Sequence, residues 1–330
     1  MLYGGMDLHK KSSEIVLKTE KGKKIKEGNV KSEKKPIKDF FSGIDEEIKL
    51  AIEATPQSQY FYDLIEELGI DVVLSNPLKT RLIAEEKVKT DKVDANALCD
   101  LARGNLLPTC YVPEKDIREL REIARTRISL GKVKGNFKNH IRGVLDRKKI
   151  EYPGREVFNK KGIRWLKVLN HPIINPWIPL LETALEQCNE VEKKIAKKAK
   201  DHNEIVLIES IPGIATYSAA VIYGEIADID RFSSEKKLYS YAGLTPSIHQ
   251  SGEVEYHGRM TKQGSKYLRW VMIHAIGNHI RFCPSSNISR YYRRKKKEKP
   301  TKIARVNGAR KLLQAIYWML KNHDKFRVGG

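Results

Sequence analysis

The chain has 330 residues, enough for about two domains with cores of their own. Lysine and arginine number 62 against 41 acids, a formal charge of +21 that points to a polyanionic partner, nucleic acid before any other. No run approaches the roughly 18–20 apolar residues of a membrane span, and Asp7, Lys10 and Lys11 in the first strand-like segment argue against a signal peptide, so a soluble, cytoplasmic protein with no membrane partner is expected, joining the nucleoid when it acts on DNA.

Elements alternate at the start of the chain. Leu2 to Leu8 is a short apolar run, and Glu14 to Thr19 and Lys24 to Val30 flank Glu20-Lys21-Gly22-Lys23 as a hairpin would. Ile48 to Ala54 and Asp71 to Ser75 read as buried strands, whereas Lys34 to Phe41 and Gln57 to Leu68 carry helical spacing. The order β-β-β-α-β-α-β, then a helix from about Asp91, predicts an α/β domain with a mixed sheet over residues 1–110. Glu114 to Lys149 spaces Leu120, Ile123, Ile128, Val133, Phe137, Ile141 and Val144 among basic residues, and a second charged helix runs from about Pro179 to Lys200. Pro153-Gly154 and the segment from His171-Pro172 to Pro176 separate the two, which predicts a helical hairpin or coiled coil within 111–204. The remainder, 205–330, reads as mainly helical. Trp165, Trp177, Trp270 and Trp318 read as core or interface anchors.

The candidate chemistry begins with the stretch KVKTDKVDANALCD at 87–100. Asp91 and Asp94 stand at i and i+3, about 60° apart on one helix face. Asp7 interrupts the first strand and Glu53 ends a later one, and a charge in a buried strand is costly unless paired or bound to a cation. Neighbouring strands would bring these two together. Four carboxylates suit Mg²⁺ or Mn²⁺, and two such ions serve phosphodiester chemistry, with Lys10, Lys89 and Lys92 close by to meet phosphates. The plain alternative makes Asp91 and Asp94 surface acids paired with Lys87, Lys89 or Lys92. Cys99, Cys110, Cys188 and Cys283 show no ligand spacing and predict neither zinc nor disulfides.

Met6-Asp7-Leu8-His9-Lys10, Ile52-Glu53-Ala54-Thr55, Asn76-Pro77 and Lys89-Thr90-Asp91-Lys92-Val93-Asp94-Ala95 resemble the DEDD domain of one family of insertion-sequence transposases, related to the pilin-gene invertases. That domain is similar to RuvC resolvases, of the ribonuclease H fold. Ile211-Pro212-Gly213-Ile214, Tyr241-Ala242-Gly243-Leu244-Thr245-Pro246, Gln250-Ser251-Gly252 and the run Gly258 to Arg269 resemble the same family's C-terminal transposase domain. Pro56 and Ser265 depart from the family pattern, which bears on local turns and leaves the acids and the serine untouched. The resemblance implies a recombinase that moves its own element, guided by a structured RNA that pairs with target and donor DNA. It implies catalysis by Asp7, Glu53, Asp91 and Asp94 together with Ser251 as nucleophile, and long helices that pair protomers into a homodimer, becoming a tetramer in synapsis. A composite site, acids from one protomer and serine from another, is also implied.

By their chemistry alone, the second-half features are less specific. Ile211-Pro212-Gly213-Ile214 fits a helix-hairpin-helix turn able to hold a phosphate, or a plain structural turn. Ser251 sits in a loop-like stretch, where a serine before glycine is usually a turn residue; the downstream Arg259, Lys262, Lys266 and Arg269 are what could bring a phosphate to it. His249, His257 and His274 read as core or surface histidines before acid/base groups. Arg293, Arg294, Lys295, Lys296 and Lys297, with Tyr291 and Tyr292 beside them, can track a phosphate backbone and stack on unpaired bases, or form a solvated charge run. The competing functions are a metal-only junction resolvase and a catalytically silent RNA- or DNA-binding protein.

Overall fold

A computed structural model describes residues 1–83, 91–251 and 254–328; the side chains of 248–251, 254–257 and 259 lie outside that description. The chain divides into two compact units, Met1–Val112 and Pro113–Gly330.

In the first unit β1 (Leu2–Leu8), β2 (Ser12–Thr19) and β3 (Lys24–Lys31) form an antiparallel meander, followed by α1 (Lys34–Phe41), β4 (Ile48–Glu53), α2 (Ser58–Glu66) and β5 (Asp71–Ser75). The unit ends with α3 (Pro77–Ile83), α4 (Asp91–Arg103) and β6 (Thr109–Cys110). The sheet order is β3-β2-β1-β4-β5-β6, with β1, β4 and β5 parallel to one another and the outer pairings antiparallel. This is the mixed α/β sheet expected, consistent with a ribonuclease H-like DEDD domain. Alternation along each strand splits the apolar side chains between two faces. Met6, Ile15, Leu50, Ile52 and Leu74 pack on one side with Ile37, Phe40, Phe61 and Leu64 of α1 and α2, while Ala51, Tyr3 and Val73 meet Leu98 and Ala102 of α4 on the other. The helix α3 was not anticipated, although Asn76 signals it: its Oδ1 accepts from the Lys79 N–H at 3.2 Å, and Pro77 opens the helix where a missing N–H costs nothing. The two-residue β6 is too short for any period to show.

The second unit is mostly helical. It contains α5 (Lys115–Arg147), α6 (Lys160–Leu169), α7 (Trp177–Ala199), α8 (Asn203–Glu209), α9 (Thr216–Ile226) and α10 (Glu235–Tyr241). A hairpin of β7 (Pro246–Ser251) and β8 (Val254–Met260) follows, then α11 (Lys266–Phe282), α12 (Asn287–Glu298) and α13 (Thr301–Asn322). The long helices α5 and α7 run antiparallel, joined by Arg127–Glu192 at 2.5 Å and Lys198–Glu119 at 2.7 Å. The segment expected only to connect them holds α6, capped by Asn159 at its start and by left-handed Asn170 at its end. Leu166 of α6 closes a small separate core with Ile141, Ile174 and Leu181. The centre of the unit is α9, buried from Ala219 to Ile226 and packed by α5, α7, α8 and α11. The turn Ile211-Pro212-Gly213-Ile214 is built into this core: Gly213 has φ +92° and a Cβ there would lie 2.8 Å from the Asn278 backbone, while the Pro212 carbonyl bonds His279 at 3.0 Å. Of the two roles expected for the tryptophans, the core one does not hold for Trp318, 50% exposed, or Trp270, 38% exposed, each on the outer stripe of a helix whose inner stripe is already filled.

Candidate metal centre and nucleic-acid surfaces

The acids of the first unit are assembled by backbone geometry. Parallel register places Met6 opposite Ile52, so Asp7 and Glu53 are the next residues along two adjacent strands, both at carboxyl ends. Along β1, Tyr3, Gly5 and Asp7 share the face covered by α4. The Cys99 thiol donates to the Tyr3 carbonyl at 3.2 Å, and a Cβ on Gly5 would lie 2.0 Å from the Ala95 carbonyl oxygen. Helix and strand therefore run in opposite directions at a distance only glycine permits. One further turn of α4 carries Asp91 over Asp7. Lys18, buried in β2, fixes the helix from the side through Asp100 at 2.7 Å.

The result is a buried carboxylate among like charges. Asp7 is 4% exposed, and its carboxyl is held above its ordinary pKa first by burial; His9 pulls it down, and Asp94, Asp91 and Glu53 push it up. The Nε2 of His9 lies 3.1 Å from Asp7 Oδ2 and 3.2 Å from Asp91 Oδ1. Attraction to Asp7, before any other cause, raises the His9 pKa. One donor atom each from Asp7, His9 and Asp91 lies within 4.8 Å of the others, while Glu53 and Asp94 reach Asp7 through their charge. This donor set fits a divalent cation: hard carboxylate oxygens, one imidazole nitrogen, and an Asp7 whose charge burial leaves in need of a counterion. Two buried hydroxyl oxygens without a hydrogen-bond partner, Thr55 Oγ1 and Ser75 Oγ, stand near Glu53, Ser75 being its register partner on β5.

His9 is a group the sequence reading passed over, although an Asp-x-His spacing signalled it. The turn presenting it is tied down by the His9 N–H to the Ser12 carbonyl at 3.1 Å and by Ser32 Oγ to the His9 carbonyl at 2.7 Å. Of the lysine pairings in the alternative reading, the one described goes elsewhere, Lys92 reaching Glu27 of β3 at 2.8 Å while Asp91 faces His9. Lys92 and Lys10 are both exposed, Lys92 in a surface ion pair of the weak, solvent-screened kind. Lys87 and Lys89 lie outside the described residues.

In the second unit, the stretch expected to be loop-like around Ser251 is the end of β7, where Ser251 pairs with Val254 of β8. The side chains of Ser251, Arg259, His249 and His257 lie outside the described residues. Beyond the hairpin, the loop before α11 is rigidly held. The Ser265 N–H donates to the Tyr241 carbonyl at 2.7 Å, Arg269 Nη1 donates to the Lys262 carbonyl at 3.1 Å, and Gly264 has φ +96°. Ser265 caps α11 by accepting from the Leu268 N–H at 3.0 Å and itself donates to Glu225 at 2.8 Å. Lys262 and Lys266 are left exposed at this helix start, while Arg269 is partly engaged. The basic run forms α12, with Arg294, Lys296 and Lys297 exposed; Arg293 is bound to the Pro284 carbonyl and Lys295 to Glu298 at 2.7 Å.

Two family models match the chain. The DEDD transposase model of IS110 covers residues 4–150, spanning all four acids, and the model of the transposase IS116/IS110/IS902 family covers 206–293, including Ser251. Among similar proteins, the probable family 20 transposase of Pseudomonas aeruginosa is 24% identical over 89% of this chain and 89% of its own length. The transposase for insertion sequence element IS1111A of Coxiella burnetii is 23% identical over 70% of this chain and 66% of its length. That for IS1533 of Leptospira borgpetersenii is 25% identical over 73% of this chain and 74% of its length. The first model's span takes in all four acids and the second matches downstream, so the chain is similar to the IS110/IS116 transposases over both 4–150 and 206–293.

Proposed function

We propose that this transposase cuts and rejoins DNA in a reaction that depends on Mg²⁺ or Mn²⁺, with Asp7, Glu53, Asp91 and Asp94 forming the metal centre, His9 assisting, and Ser251 acting as nucleophile. The observation that carries the reading is the burial of Asp7 among three other acids at the carboxyl edge of the sheet. A bound divalent ion supplies Lewis-acid stabilisation of the leaving oxygen. Asp7 and Asp91 orient and anchor, and His9, hydrogen-bonded to both, sets their spacing. Ser251 Oγ attacks the scissile phosphorus, its proton passing to solvent or a nearby base, while the bond from phosphorus to the leaving sugar oxygen breaks. The phosphodiester energy is thereby kept in a serine ester, so the strand is rejoined without an external energy source. Lys262, Lys266 and Arg269, together with Arg259, are the cations assigned to the phosphate.

The partners in this reading are target and donor DNA and a structured guide RNA, with the protein acting as a homodimer that forms a tetramer in synapsis. The +21 charge supports an RNA scaffold as well as DNA. Trapping the reaction on a nicked target and denaturing it should yield protein covalently attached to DNA through the Ser251 peptide. Ser251→Ala should lose the adduct and strand exchange yet still bind metal, and Asp91→Ala should lose exchange while still binding nucleic acid. Metal-dependent cleavage with no adduct would return the reading to a junction resolvase that uses the acids alone. Activity of the protein with no RNA from the flanking DNA would remove the guide.

A further inference from the structure

The outer side of α13 holds a cavity that the reading above does not use. Leu312, Leu313, Ile316 and Leu320 fill the core side of this helix, leaving Trp318 half in water. An indole is worth burying, so its exposure beside a cavity of about 400 Å³ marks a surface kept for a ligand. Trp318 shares that cavity with the amides of Gln314 and Asn322, which both donate and accept, and with the cations Lys311, Lys325 and Arg327. The far wall is pre-formed. Phe326 donates its N–H to Ser210 Oγ at 2.8 Å and sets its ring against His279 at 5.4 Å, and the Asp324 N–H bonds the Met319 carbonyl at 3.0 Å. Asn287, the first residue of α12, lines the same cavity. From there Arg290, Arg294 and Lys297, at i, i+4 and i+7, run along one exposed stripe of α12.

We infer that this cavity takes one unstacked nucleobase of a single-stranded or looped nucleic acid, stacked on Trp318 with its edge read by Gln314 and Asn322, while the α12 stripe follows the adjoining phosphates. Charge selects the occupant. Three cations face one acid, Asp324, in the wall, and a second copy of a +21 chain would bring like charge to it. A paired and stacked base in a duplex cannot turn out into this open depression to lie on Trp318; an unpaired one can. The inference rests on the proposed nucleic-acid role for its class of ligand and is independent of the acidic centre.

The test uses the full chain in EDTA with fluorescein-labelled 12-nucleotide single-stranded RNA, single-stranded DNA of the same sequence, and its duplex. Trp318→Ala should weaken both single strands about 5- to 150-fold, the loss expected of one base–aromatic stack, and leave the duplex unchanged. Trp318→Phe should recover most of the loss. The slope of log affinity against log salt should stay constant in Trp318→Ala but fall by about one in Arg294→Gln, which removes a phosphate contact. Equal losses on single strands and duplex, no loss at all, or a dimer that Trp318→Ala converts to monomer in sedimentation would each overturn the base pocket, the last in favour of a protein interface. Because EDTA removes divalent metal, a failed metal centre leaves this result unchanged, and a failed pocket leaves the metal centre standing. A preference for RNA over DNA would assign the source of the base; equal binding would show that stacking alone carries the contact.

Discussion

Among the described residues each unit buries one carboxylate, and the two are treated in opposite ways. Glu225 on α9 is 2% exposed and fully answered: Arg125 grips it at 2.7 and 3.0 Å and Ser265 donates at 2.8 Å. Asp7 on β1 is 4% exposed and, among the described residues, hydrogen-bonds His9, with Asp91, Asp94 and Glu53 adding repulsion. A buried acid supplied with its own guanidinium ties α5, α9 and α11 together. A buried acid surrounded by acids costs the apo fold stability and makes sense as a receptor for an outside cation.

The contrast can be broken by mutation. Glu225→Ala should be the most damaging, by about 3 kcal/mol in urea denaturation, because it empties a buried site and leaves Arg125 and Ser265 without their shared acceptor; Arg125 keeps partial access to water, so the loss sits at the low end for a broken buried pair. Next, Mn²⁺ at about a hundredfold over its dissociation constant should stabilise the wild type by about 2.7 kcal/mol, an increment absent in Asp7→Asn and reduced in His9→Ala. A metal increment that survives in Asp7→Asn would place the ion elsewhere. Gly5→Ala should cost about 1–3 kcal/mol through its clash with the Ala95 carbonyl and should weaken the Mn²⁺ response as α4 is pushed away. Without metal, Asp7→Asn should match or exceed the wild type in stability, the reverse of Glu225→Ala, since it relieves repulsion.

The smallest effect concerns a buried group held neutral. His279, fully buried, bonds the Pro212 carbonyl and Ser286, and burial lowers its pKa from the ordinary 6.5. The unfolded chain then takes up the proton first, so its contribution is fully present above pH 6.5 and is lost as pH falls from there toward the lowered value. A stability profile for His279→Asn that keeps the same slope over that window would assign the pH dependence to another group.

Much of the first unit was legible in the chain itself. Period-two runs and turn residues placed five of its strands, and the charge inside Met6-Asp7-Leu8 pointed to a site because a buried strand does not carry an acid idly. The i, i+3 spacing of Asp91 and Asp94 put both in the first turn of α4. The α3 turn and the β7–β8 hairpin escaped because they are short and their ends are defined by a cap and by cross-strand partners, and α6 escaped because its ten residues lie between the Pro153-Gly154 and His171-Pro172 breaks that marked the segment as a connection. For Trp318 the sequence left core and interface open: hydrophobicity says that an indole can be buried, and only the completed inner face of α13 says that this one lies outside the core.

The amino-acid sequence by itself therefore determined the basic character of the chain, the alternating α/β start, the long helices and the identities of the acids, since these depend on composition and short-range periodicity. It did not decide which groups meet. The parallel register of β1 and β4, the Gly5 contact that lowers α4 onto the sheet, the recruitment of His9 and the diversion of Lys92 to Glu27 all join residues far apart in the chain. Such contacts are set by how whole faces pack, and a site made of them exists only once the tertiary structure has closed around it.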